Sequence, residues 1–161
     1  MVGHMIAIML ASLALVGPVD DTRAFAAVEI DGSRVRAYVC DGTSHRSATM
    51  SQWFRGRWDR RAPITLRAGG RSLRLRPPAA DGRIRGRLIH DGASHGFTLK
   101  PATGPAGLYK VRRGRTRATW VMLADRRVRG AMADPRPRKC RPVQVTLVDG
   151  TTQIVTVCKM V

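Results

Sequence analysis

The chain has 161 residues, a formal net charge of +18 and 43% apolar residues, enough for one folded domain with its own core. Aromatic residues make up only 5%, so that core must rest on Val, Ile, Leu, Ala and Met. Of 29 basic residues 25 are Arg, and acid is ten Asp with a single Glu, Glu29; this supply suits anionic partners and serves two-carboxylate hydrolysis poorly.

Residues 5–16 (MIAIMLASLALV) form a continuous run of 12 without charge, apolar but for Ser12. A membrane-spanning helix needs about 20 residues, whereas the core of a secretory signal needs about 7–15. The run therefore reads as a helical signal or signal-anchor. Ala24-Phe25-Ala26 is the candidate cleavage triplet, and a buried strand is the alternative reading. No Cys stands where a lipoprotein would need one.

The body is punctuated by Asp31-Gly32, Asp41-Gly42, Asp81-Gly82, Asp91-Gly92 and Asp149-Gly150. Asp tolerates the left-handed region and Gly enters it freely, so Asp-Gly between apolar runs signals a hairpin. The runs are short and rich in β-formers: residues 24–30, 35–40, 83–90, 95–99, 119–123, 128–132, 143–148 and 153–158. No stretch after residue 20 has a helical period. The expected fold is all-β, an antiparallel meander, small barrel or sandwich built from hairpins, behind an N-terminal hydrophobic segment. Asp41 to His45 (DGTSH) returns 50 residues later as Asp91 to His95 (DGASH), read as two similar hairpins. Residues 134–142 (DPRPRKCRP) form a basic connector held extended by proline. The expected organisation is an export segment and junction at 1–23, a β domain at 24–133, the connector at 134–142 and a terminal hairpin at 143–161.

Three strings, Ala37-Tyr38-Val39-Cys40-Asp41-Gly42, Trp53-Phe54-Arg55-Gly56, and Phe97-Thr98-Leu99 followed by Gly107-Leu108-Tyr109, resemble a loosely defined group of exported actinobacterial β-domain proteins. The resemblance covers roughly residues 16 to 132. It implies export and a β fold, with no established activity or catalytic residues. It also implies a turn at Asp20-Asp21-Thr22 and Phe25 inside the first strand, which conflicts with cleavage after Ala26.

Cys40, Cys140 and Cys158 are the cysteines. A three-residue loop at Val148-Asp149-Gly150 would set Leu147 opposite Thr151, and counting outward sets Cys140 opposite Cys158. A two-residue turn would put them on opposite faces. The first register predicts a Cys140–Cys158 disulfide closing a loop of about 19 residues, worth about 3 kcal/mol in the chain-entropy account. Cys40 is left over as a small buried hydrophobe.

Catalytic chemistry finds little to work with. Cys40, His45, His90 and His95 lack the spacing of a zinc site. Ser44-His45 and Ser94-His95 are neighbours whose side chains would diverge on a strand. Residues 104–107 (GPAG) lack the Lys-Ser/Thr and helix of a phosphate loop. No catalytic residue, metal, cofactor or small-molecule ligand is inferred.

What remains is charge. Arg55, Arg57, Arg60 and Arg61 interleave with Trp53, Phe54 and Trp58. Arg112, Arg113, Arg115 and Arg117 form a second cluster, and Arg136, Arg138, Lys139 and Arg141 a third. Arginine forks suit phosphates, and aromatics can stack on bases or sit at a membrane interface. The expected function is a non-catalytic exported or cell-envelope β domain, its arginine-rich face meeting anionic lipid, a wall polymer or an acidic protein. The alternative is a cytoplasmic small-barrel nucleic-acid binder.

Overall fold

The computed structural model describes residues 13–113, 115–133, 141–146 and 152–157. Its strands are β1 (Leu13–Pro18), β2 (Phe25–Asp31), β3 (Arg34–Cys40), β4 (Ser51–Arg57), β5 (Ile64–Ala68), β6 (Arg71–Leu75), β7 (Ile84–His90), β8 (Ala93–Pro101), β9 (Gly107–Arg113), β10 (Thr116–Met122), β11 (Val128–Ala133), β12 (Arg141–Thr146) and β13 (Thr152–Val157). Eight of them form one antiparallel sheet in the order β4-β3-β2-β1-β8-β7-β6-β5. Its two edge strands, β4 and β5, come back against each other, giving a nearly closed barrel. Strands β11-β10-β9 make a second sheet, and β12-β13 a separate hairpin.

The barrel interior is filled by one residue in two from each strand: Leu15, Val28, Val35, Phe54, Leu66, Leu73, Ile84 and Leu99 lie in one cluster. The three-stranded sheet covers the outside of β1–β3, where Val16, Phe25, Ala27, Tyr38 and Cys40 pack against Val121, Leu123 and Ala131. Parts of β1, β2 and β3 therefore bury both faces. That is why residues 24–28 and 37–40 read as unbroken apolar runs rather than alternating ones. The far side of the cover sheet has its own cluster, in which Trp120 stacks on Tyr109 with ring centroids 5.6 Å apart.

β1 changes the expected domain boundary. Leu13–Pro18 pairs with β2 from Leu13↔Ile30 to Pro18↔Phe25 and with β8 at Leu15 and Val16, so the last part of the apolar run is a central barrel strand. The β domain starts no later than Leu13, not at Ala24. The expected helical segment otherwise falls on residues 1–12, outside the described residues. Among the described residues no helix is long and apolar enough to cross a membrane. The turn at Asp20–Arg23 precedes Phe25, which opens the second strand, and a cut after Ala26 would fall inside β2.

The turn chemistry holds at some Asp-Gly pairs and not at others. Asp91 and Gly92 both have positive φ, 49° and 75°, and join β7 to β8 with His90 opposite Ala93. Between β2 and β3 the turn is shifted by one residue, since Asp31 pairs with Arg34 and only Gly32, at φ 58°, is left-handed in the Gly32-Ser33 turn. Asp41-Gly42 instead opens a ten-residue connection, in which the Asp41 carboxylate accepts the backbone N–H groups of Thr49 and Met50 at 2.8 and 2.9 Å. The two DGxSH strings thus take different conformations and are not equivalent hairpins. Gly42 is needed for another reason: the Gly130 N–H donates to its carbonyl at 3.0 Å, and a Cβ there would strike the Gly130 carbonyl. The β5–β6 hairpin turns on Gly69-Gly70, both at positive φ.

Candidate anion-binding surface

Alternation decides which side chains leave the barrel. On β3 the interior takes Val35, Ala37 and Val39, which sends Arg34 and Arg36 outward. Buried Phe54 sets the phase of β4, so Trp53, Arg55 and Arg57 face out. Leu66 does this on β5 for Arg67, Leu73 and Leu75 on β6 for Arg74, and Ile84 and Leu88 on β7 for Arg85 and Arg87.

Register then lines these arginines up. Arg34 lies opposite Arg57, Arg36 opposite Arg55, and Arg74 opposite Arg87. Like charges directly opposite in a sheet are destabilising. Among the described residues no ion pair engages Arg34, Arg57, Arg67, Arg74, Arg76 or Arg85. The part of the barrel wall that the cover sheet leaves open is thus a band of arginine with little counter-charge.

Two carboxylates stand at its border, Asp31 opposite Arg34 and Glu29 opposite Arg36 in the β2–β3 register. Glu29 Oε2 lies 3.4 Å from Arg36 Nη2 and 3.2 Å from Lys110 Nζ, tying the barrel to β9 of the cover sheet. The Lys110 ammonium also sits 4.7 Å from the centroid of the Trp53 ring, and Arg55 Cζ lies 5.5 Å from it. Tyr38 packs on the same indole at 5.0 Å. Beside this group is a groove of about 230 Å³ lined by Glu29, Asp31, Arg34, Arg36, Arg55, Val35 and Gly56. A second cleft, about 360 Å³, runs between β8 and the β10–β11 turn and holds Lys100, Thr98, Asp125 and Arg127. There the Arg127 backbone N–H and then its guanidinium hold the Asp125 carboxyl below the usual carboxylate range.

The residues singled out from sequence scatter. Arg55 and Arg57 are on the wall, and Arg60 and Arg61 are exposed in the loop that follows β4. Arg112, Arg113, Arg115 and Arg117 belong to the β9–β10 hairpin of the cover sheet, not to the wall. Arg141 opens β12, while Arg136, Arg138 and Lys139 lie outside the described residues. Two of the three interleaved aromatics separate from the arginines, and Trp53 stays beside Arg55. Phe54 is in the barrel interior, and Trp58 is buried with its indole N–H donating to the Ala62 carbonyl at 2.6 Å. Trp53 is half-buried between Tyr38 and Lys110. The large exposed hydrophobics of the described chain are Leu13 and Ile89, neither aromatic.

The side chains considered for catalysis also separate. His45 is exposed in the Asp41 loop. His90 accepts from Arg71 Nε at 2.8 Å through Nδ1, and Arg71 reaches on to Gln52 Oε1 at 3.1 Å, a polar link across the β4–β5 seam. Ser94 and His95 point to opposite faces of β8, with the Ser94 hydroxyl at 3.1 Å from Arg87 Nη1. Cys40 is buried, and burial pushes its thiol pKa up. No group of three or more His, Cys, Asp or Glu able to hold a metal occurs among the described residues. Cys140 and Cys158 lie outside the described residues; the ladder next to them runs from Thr146↔Thr152 to Arg141↔Val157, the register expected of the three-residue loop.

The signal that sequence reading missed is the alternation itself. Arg34 and Arg36, and Arg85 and Arg87, sit two apart between apolar residues, less conspicuous than the dense runs at 55–61 and 112–117. No protein-family model matches the chain, and no curated protein matches it.

Proposed function

We propose that this protein is a non-catalytic β domain that associates with an anionic surface or polymer of the cell envelope through the exposed arginine wall of its barrel. The observation that carries the reading is the band formed by Arg34, Arg57, Arg67, Arg74, Arg76 and Arg85, without ion-pair partners among the described residues, on the side the cover sheet leaves open. Uncompensated guanidinium groups raise the local concentration of anions and form bidentate contacts to phosphate and carboxylate. The resemblance to exported β-domain proteins supports an envelope location. A terminal Cys140–Cys158 bridge belongs to the same proposal, since an oxidising compartment permits it.

The alternative, a cytoplasmic single-strand nucleic-acid reader, requires aromatic faces on which bases stack. Phe54 and Trp58 are buried, and Trp53 is engaged by Tyr38 and two cations, so the wall offers charge without a stacking platform. The test is co-sedimentation of the full chain with native-host envelope fractions and with vesicles containing anionic lipid, at rising salt. Binding is expected at low ionic strength and should fall steeply as salt shortens the screening length to about 8 Å near 0.15 M. Absence of binding to every anionic surface at low salt removes the proposal.

A further inference from the structure

We infer that the arginine grid of β3 and β4 is a docking site for a linear polyol-phosphate polymer, a phosphodiester chain without bases, lying along the strands. The inference rests on the polyanion reading above and specifies its ligand. Arg34, Arg36, Arg55 and Arg57 stand at the corners of a two-by-two block, all outward and exposed. Across the strands, opposite Cβ atoms are about 4.5–5.5 Å apart. Along a strand, alternate residues repeat every 6.6–6.8 Å or so.

That longer repeat matches a phosphodiester chain. A peptide residue spans three backbone bonds and extends about 3.5 Å, so about six bonds between phosphorus atoms extend to roughly 7 Å. Successive phosphates can then each meet one cross-strand arginine pair, Arg34 with Arg57 and Arg36 with Arg55. The groove of about 230 Å³ lies at this block, lined by three of the four arginines and, on its β2 side, by the carboxylates Glu29 and Asp31, so the polymer lies over the β3–β4 side of it. Glu29 fixes Arg36 from the side, and Lys110 adds a cation at the rim. Single-stranded nucleic acid has a similar phosphate repeat, but its bases would find no free aromatic face here, because Trp53 is held between Tyr38 and Lys110. A base-free polymer leaves nothing unstacked. Cross-strand pairing of like charges, a standing cost in the free protein, is relieved when each pair takes up a phosphate.

The experiment compares the full chain and two variants of equal charge loss, R34Q/R57Q and R85Q/R87Q, by fluorescence anisotropy. The probes are a labelled poly(glycerol phosphate) and an oligo(dT) with the same number of phosphates. Poly(glycerol phosphate) should bind the native chain more tightly than oligo(dT). R34Q/R57Q should lower the slope of log affinity against log salt by about 0.7, one phosphate of a single strand, and R85Q/R87Q by clearly less. Thermal melts confirm that both variants fold. Equal losses from the two variants overturn the grid while leaving polyanion binding by the whole wall intact. Tighter binding of oligo(dT) overturns the base-free ligand. No binding of either polymer at low salt, with vesicles and wall fractions also negative, overturns the underlying function instead.

Discussion

At the scale of single residues, the interior is dense enough that small changes in volume should be felt. Gly86 lies under the Phe97 ring and the Arg74 carbonyl, so a methyl at this position has no room. Gly86→Ala should cost about 1–3 kcal/mol through overpacking, measured by urea unfolding. Phe54, fully buried in the barrel, should cost about 3–5 kcal/mol on truncation to Ala. Asp125 gives a pH test. Its carboxyl titrates lower in the folded chain than the ordinary value near 3.9, so its stabilising contribution is present above that value and is lost as pH falls through the lower, folded one. Carboxyl NMR should place its midpoint below about 3.9, and Arg127→Ala should move it part of the way back, because the backbone N–H of residue 127 remains. Cys40, with its thiol pushed up by burial, should resist alkylation until the protein is unfolded.

At the scale of elements, the arginine grid sets stability against binding. Arg57→Glu would place a carboxylate opposite Arg34, and cross-strand charge pairs contribute about 0.2–1 kcal/mol. The variant should melt higher and bind polyanions less, a pairing of effects that simple damage to the fold would not produce. Much of the strand pattern was legible: hairpins at Asp31-Gly32 and Asp91-Gly92, and the β10–β11 pair, follow from turn chemistry and short β-rich runs. β1 was legible only as the alternative to an export segment, because Leu15 enters the barrel while Val16 lies under the cover sheet. A strand apolar on both sides looks the same as the middle of an export helix. The site was only half legible. Alternation shows that Arg34 and Arg36 share a face, but nothing in the local sequence says that this face meets Arg55 and Arg57 from a strand 21 residues further on. The aromatic interleaving misled, since neighbours along a strand point to opposite sides and Phe54 left its arginine neighbour for the core.

At the scale of the whole molecule, the barrel is sealed unevenly. Seven of its contacts between neighbouring strands are backbone ladders, and the β4–β5 contact is not. Leu66 against the bare backbone of Gly56, and Arg71 bridging Gln52 and His90, hold that join through side chains. Backbone amides along β4 and β5 that face the join should therefore exchange with deuterium sooner than those of β2 or β1, which sit between two partners. Such a margin invites another copy to zip onto it, the usual route from an open sheet to insoluble stacks. Arg55 and Arg57 line one lip and Arg67 the other, so an approaching second molecule brings the same positive rows to the same place. Mutual repulsion then keeps neighbours apart, and neutralising those three positions should increase clumping as the protein is concentrated, read by light scattering.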